Sequence, residues 1–269
     1  MALDTSTYSL ALLRVDGRRW NELRRLHAQV RTQAAADGSS YLEMGHTKVM
    51  CTVTGPAEPQ QRRGAIGSQQ SRDAAVTVHI VMAGFSSVDR KKTARNDKRV
   101  AEMEATISKT FASTLHTHLF PHSQIAISLH VLSQDGSLLA ALLNAASLAL
   151  VDAGIPMSDY VAACTAGSTS SQGASDEAAD PLLDLNTQEE QELPFLTVGT
   201  LGATDRVSVL VCESRVQLGR IEGLLAVAVD GCKQIRQKLD EVVKEKGRKM
   251  VTEGAVEKGV SMDDIEMTT

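Results

Sequence analysis

Residues 123–156 read SQIAISLHVLSQDGSLLAALLNAASLALVDAGIP, and the hydrophobic pattern changes within them. Apolar residues first fall at Ile125, Ile127, Leu129 and Val131, the two-residue period of a half-buried strand. Asp135-Gly136-Ser137 then supplies turn chemistry. From about Ser137 to Asp152 small and apolar residues occupy nearly every face, until Gly154 and Pro156 stop the run. A helix that is apolar all round has no solvent side and must lie between other elements. A strand feeding such a helix through a tight turn predicts a layered arrangement of sheets and helices. It also sets a helix N-terminus, whose unpaired N–H groups attract phosphate, at Ser137.

Working outward, strand alternation recurs in TKVMCTVTG (47–55) and DRVSVLVCE (205–213), with AAVTVHIVMAGF (74–85) and LPFLTVGTLG (193–202) as further candidates. Two more helices are expected. One runs from Asp97 to about His118 with Val100, Met103, Ile107, Phe111 and Leu115 on one face. The other runs from Leu218 to Lys244 with Ile221, Leu225, Ala228, Ile235, Leu239 and Val242 inward. This order predicts an α/β (α+β) fold rather than regular βαβ alternation, and no G-x-G-x-x-G follows a strand to suggest a Rossmann site. One domain is expected over 14–245, after an N-terminal arm at 1–13 and before a polar tail at 246–269 that starts helical and then frays. The small polar stretch TAGSTSSQGASDEAAD (165–180) predicts a mobile surface loop.

The chain has 269 residues, a net charge of −5, 42% hydrophobic residues and 23% charged ones, which suits an ordinary globular protein. Its longest apolar runs fall short of the roughly 20 residues of a membrane span, so no membrane association is expected. Asp4 and the lack of a basic segment before the first apolar stretch argue against a secretory signal, and intracellular residence is expected. Cys51, Cys164, Cys212 and Cys232 are far apart and read as buried thiols in a reducing compartment. His116, His118 and His122 lack a carboxylate or thiolate at metal-ligand spacing, so neither a metal nor a cofactor is expected. An acidic chain with 3% aromatic residues is not a free-standing nucleic-acid binder with a base-stacking sheet, although one basic face remains open to it.

That face has candidates. RKKTARNDKR (90–99) holds six cations, Arg95, Lys98 and Arg99 among them, against one acid, and enters a helix start where cations oppose the dipole. It reads either as a solvated face or as a patch that tracks phosphates. Arg62 and Arg63 form a second basic point on the Gly/Pro-flanked loop GPAEPQQRRGAIG (55–67), where guanidinium forks suit phosphate. In DPLLDLNTQEEQE (180–192), Asp184 and Glu190 could share a divalent cation or serve as general acid, or belong to an ordinary acidic loop.

Several longer segments, RVDGRRWNELRRL (14–26), ADGSSYLEMGHTKVMCTVTGP (36–56), LFPHSQI (119–125) and NAASLALVDAGIPMSDY (144–160), resemble the RNase PH family, and within it the exosome ring subunits. The resemblance runs from Arg14 to Leu239. It implies a ribosomal-protein-S5-domain-2-like fold with an internal pseudo-repeat. It also implies a six-membered heteromeric ring of RNase PH-like subunits with single-stranded RNA in its channel, S1/KH-type RNA-binding cap proteins and a hydrolytic exoribonuclease as partners. Nuclear, nucleolar and cytoplasmic residence is implied with them. Active members use phosphate to cleave the 3′-terminal phosphodiester, and hold that phosphate with an Asp-Ala-Gly-Ser-Arg motif. Its positions fall here on Asp135, Gly136, Ser137, Leu138 and Leu139, so leucines stand where the hydroxyl and guanidinium belong. Asp184 matches the first catalytic aspartate, while the second is Glu190. Lys98 and Arg99 match a pair that grips RNA, and Arg62 matches the channel-neck arginine; Arg63 and Arg95 join them as RNA-binding candidates. The resemblance thus implies a non-catalytic conduit, with an active phosphorolytic exoribonuclease and a protein-interaction module that never touches RNA as the alternatives.

Overall fold

The structure, a computed structural model, describes residues 14, 16–58, 73–87, 90, 97–169, 181–202, 204, 206–216 and 218–257. The 1–13 arm, Arg62, Arg63, Arg95, residues 170–180 and the tail after 257 lie outside the described residues.

Two antiparallel-dominated sheets carry the fold. The first has five strands in the order β1 (Leu26–Val30), β2 (Gly38–Met44), β3 (Thr47–Ala57), β5 (Gln124–Ser133), β4 (Ala75–Met82). The second has four, in the order β7 (Pro181–Leu183), β6 (Val161–Ser168), β8 (Phe195–Leu201), β9 (Val207–Val211). Helix α1 (Lys98–Thr114) connects β4 to β5, which pair in parallel, as a crossover between parallel strands requires.

The alternation read from the sequence becomes a shared face because register preserves it. Val49 pairs with Val131, Cys51 with Leu129 and Val53 with Ile127, and all six are fully buried. Against that face lies helix α2 (Leu138–Asp152), with β6 of the second sheet on its other side. Every residue from Ala140 to Leu150 is buried, which is the physical meaning of a helix without a polar face. Its polar residues bond strands: Asn144 donates to the Ala163 carbonyl and accepts from the Ala163 N–H, Ser147 donates to the Val161 carbonyl, and the Ser40 hydroxyl donates to the Ala145 carbonyl. At Gly38 a Cβ would collide with the Ala149 carbonyl, so β2 approaches α2 as closely as only glycine permits.

Several expectations need correction. Thr165–Ser168 are not loop: they finish β6, which is buried along its whole length with α2 on one side and helix α4 (Leu218–Glu257) on the other. Their small side chains signal close packing on both faces rather than exposure. Helix α1 ends at Thr114 rather than His118. There the His116 N–H donates to the Pro156 carbonyl, Leu115 bridges to Met157, and a short 3-10 turn follows at Thr117–Leu119. Residues 187–192, expected as acidic loop, form helix α3 (Thr187–Glu192), closed by a capping box of Asn186 and Glu189. The long C-terminal helix continues to Glu257, so the helical start of the expected tail is part of α4. Cys51, Cys164 and Cys232 are buried, but Cys212 is exposed just beyond β9.

Candidate functional site

Residues far apart in sequence meet where β5 runs into α2. The turn before the helix uses two left-handed residues, Gly136 at φ +73° and Ser137 at φ +50°. A Cβ at Gly136 would strike the Leu185 carbonyl, so glycine is required there. Ser137 tolerates the same region less readily, and its hydroxyl donates to the Leu185 carbonyl at 3.1 Å instead of capping its own helix. The Thr47 hydroxyl donates to the Gly136 carbonyl at 2.8 Å and accepts from the Asp135 N–H at 3.0 Å. The loop is thereby fixed.

Asp184 follows β7 with φ +53°, a conformation aspartate adopts more readily than most side chains. Only 1% of it is exposed. One carboxylate oxygen accepts from the Arg24 guanidinium at 2.8 Å and the other from the Arg24 backbone N–H at 2.9 Å. Burial pushes its pKa up, but the Arg24 charge and these hydrogen bonds outweigh that and hold it below the ordinary carboxylate range. Arg24 also donates to the Asp135 carbonyl, which ties the aspartate to the turn. A second buried pair braces the same corner: Arg14 binds the Glu189 carboxylate and the carbonyls of Leu183 and Asp184.

Glu190 has the decisive position. From helix α3 its carboxylate accepts the Ser137 backbone N–H at 2.6 Å, at the very start of α2. The anion-attracting helix terminus thus holds an anion of the chain itself. Burial raises the Glu190 pKa, opposed by the Ser137 N–H and the charges of Arg24 and Arg99. Leu138 is buried in the first turn and Leu139 packs partly buried against the core, so neither offers a polar atom to a ligand there.

The structure therefore brings Gly136, Ser137, Leu138, Leu139, Asp184 and Glu190 to one place. Lys98 and Arg99 stand exposed on the first turn of α1, capped by Asp97, whose carboxylate accepts the Arg99 N–H at 3.1 Å. Arg99 reaches Glu213 at 3.9 Å. Among the described residues no three His, Cys, Asp or Glu side chains converge as a metal site, and no helix is long and apolar enough to cross a membrane. Sequence reasoning missed Arg24 and Arg14 as the partners of the acids. The available signal was five arginines in twelve residues, 14–25, more cation than one exposed segment needs.

Three comparisons bear on this arrangement. A model of the 3′ exoribonuclease family, domain 1 (RNase PH), matches residues 22–156. The exosome complex component SKI6 of Saccharomyces cerevisiae is 35% identical over 247 residues, covering 91% of this chain and 96% of that protein. The exosome complex component RRP41 homolog of Arabidopsis thaliana is 41% identical over 241 residues, covering 88% and 94%. The human exosome complex component RRP41 is 36% identical over 232 residues, covering 86% and 91%. Among solved structures, rice Rrp46 superposes with a TM-score of 0.71 at 25% identity, over 86% of this chain and 100% of that one.

Proposed function

This chain belongs to the RNase PH (3′ exoribonuclease) family, and from that membership we propose that it is a non-catalytic ring subunit of an RNA exosome, guiding single-stranded RNA toward an associated hydrolytic nuclease. The relatives named as exosome complex components support the ring placement. Other RNase PH-like chains are its neighbours in that reading, S1/KH-type proteins its cap, and the nucleus, nucleolus and cytoplasm its compartments.

One observation carries the non-catalytic part: the Ser137 N–H, at the helix start where the family's phosphate motif falls, is donated to Glu190 at 2.6 Å. A glutamate is one methylene longer than the aspartate the family places there, and that reach lets its carboxylate enter the helix start. Like charge then repels phosphate. The dipole alone is worth about 0.3–1 kcal/mol, against roughly 1.5–3 kcal/mol for each hydrogen bond to a charged group that Leu138 and Leu139 cannot make. Asp184 is equally committed, since both its oxygens are engaged by Arg24.

The cations at the rim are arranged differently. Lys98 and Arg99 are exposed, and a phosphate backbone can displace the long contact of Arg99 with Glu213. That favours RNA contact over a purely protein-binding role. The test is to assay the ring, freed of its hydrolytic nuclease, on single-stranded RNA with and without inorganic phosphate. No nucleoside diphosphate is expected; its phosphate-dependent release from sites containing this chain overturns the reading.

A further inference from the structure

We propose that Phe85 is a stacking contact for one base of single-stranded RNA, a role that rests on the RNA-guiding reading above. The chain has four phenylalanines. Phe111 is buried, Phe120 and Phe195 are partly buried, and Phe85 alone is exposed, at 66%. Leaving a phenyl ring in water forfeits its burial, so the site that keeps it there calls for an apolar occupant.

The backbone under the ring is held firmly. Ser86, the next residue, is buried, its N–H donates to the Ala83 carbonyl at 2.8 Å, and its carbonyl accepts the Gln134 N–H at 2.9 Å. The Ala83 N–H in turn donates to the Val131 carbonyl. Phe85 therefore projects from a turn hydrogen-bonded to the segment that leads into Asp135-Gly136-Ser137.

Cations lie toward the same end of the molecule. The Ile80 N–H donates to Glu104 and the Ser108 hydroxyl donates to the Val76 carbonyl, so α1 and β4 run in opposite directions. The first turn of α1, with Lys98 and Arg99, consequently lies toward the C-terminal end of β4, where the chain reaches Phe85. Arg90, exposed, follows five residues later. An exposed ring at the end of the molecule that carries Lys98 and Arg99, with Arg90 five residues along the chain, matches a strand with charged phosphates and flat apolar bases. A neighbouring protein subunit explains the ring but leaves the cations without a common purpose. A single ring is also compatible with 3% aromatic content, which a stacking sheet is not.

The experiment compares the assembled ring carrying Phe85→Ala, Phe85→Leu or Phe85→Trp with wild type, using a fluorescently labelled single-stranded oligoadenylate over a series of salt concentrations. Stacking predicts that Phe85→Ala and Phe85→Leu weaken binding roughly 5- to 150-fold, with the slope of log K against log salt unchanged, and that Phe85→Trp binds like wild type. Wild-type affinity retained by Phe85→Ala overturns the proposal. If Lys98→Glu/Arg99→Glu still weakens binding in that case, the RNA-guiding reading survives; if neither change matters, that reading fails too. Loss of Phe85→Ala from the ring on size exclusion assigns the side chain to a subunit interface and also overturns the stacking role.

Discussion

The two helix starts at this end of the molecule each meet a carboxylate of the chain itself, and they differ in what surrounds it. At α2 the partial positive charge meets the Glu190 carboxylate, half-buried and bonded to the Ser137 N–H, with the buried Arg24–Asp184 pair beside it. At α1 the N-cap Asp97 neutralises the terminus, and Lys98 and Arg99 follow in solvent. Both starts are met by the chain's own carboxylate, but only the second continues into cations exposed to solvent. Asp184 is held inward by Arg24, while Lys98 and Arg99 are turned outward.

The contrast breaks most severely at the buried pair. Arg24→Met is expected to cost about 3–5 kcal/mol in chemical denaturation, because Asp184 is left charged with no partner. Arg24→Met combined with Asp184→Leu should recover most of that loss. A cost below about 1 kcal/mol for the single change means that the pair does not hold the corner together.

At the open start, Lys98→Glu/Arg99→Glu should weaken binding of single-stranded RNA by about tenfold or more, and reduce the salt slope by about 2, roughly one for each phosphate no longer neutralised. An unchanged slope in the assembled ring rules out a phosphate-tracking role for the α1 terminus.

Acid titration sharpens the comparison within the sealed region. The folded-state pKa of Asp184 is lowered, so its stabilisation is present above its unfolded value of about 3.9 and is lost as pH falls through the folded value. Glu190 has the opposite sign: its folded pKa is raised, so acidification from that value toward about 4.3 relieves a burden on the fold. Denaturant midpoints measured across this window should therefore show stability held or gained before the loss at lower pH.

The smallest effect is Glu190→Gln. Its amide oxygen can still accept the Ser137 N–H while the half-buried charge is gone, so we expect a gain of up to about 1 kcal/mol near neutral pH and disappearance of the early acid-side gain. A loss of stability at neutral pH shows instead that the charge itself is needed at the helix start.

Legibility follows side-chain pattern. β3 and β5 alternate strictly and are readable to within two residues at either end, as is α2, where Ser137 and Gly154 bracket an apolar run. β2 is hidden because Ser39 and Ser40 are buried with hydrogen-bonded hydroxyls, and polarity reads as exposure. The second half of β6 reads as loop because Thr165, Gly167 and Ser168 are small for packing reasons. Of the site, Asp184, Glu190 and the Ser137 helix start are each visible as single features; their contact is not.

The sequence by itself determined the layered α/β class, the buried central helix, the family and the leucines at 138 and 139, because these depend on periodicity and residue type along a continuous stretch. Tertiary structure decided which charges neutralise one another. Arg24 lies 160 residues before Asp184, and Glu190 lies 53 residues after Ser137. Coulombic and hydrogen-bond energies depend on distance in space and on burial, and neither can be read from the order of the chain.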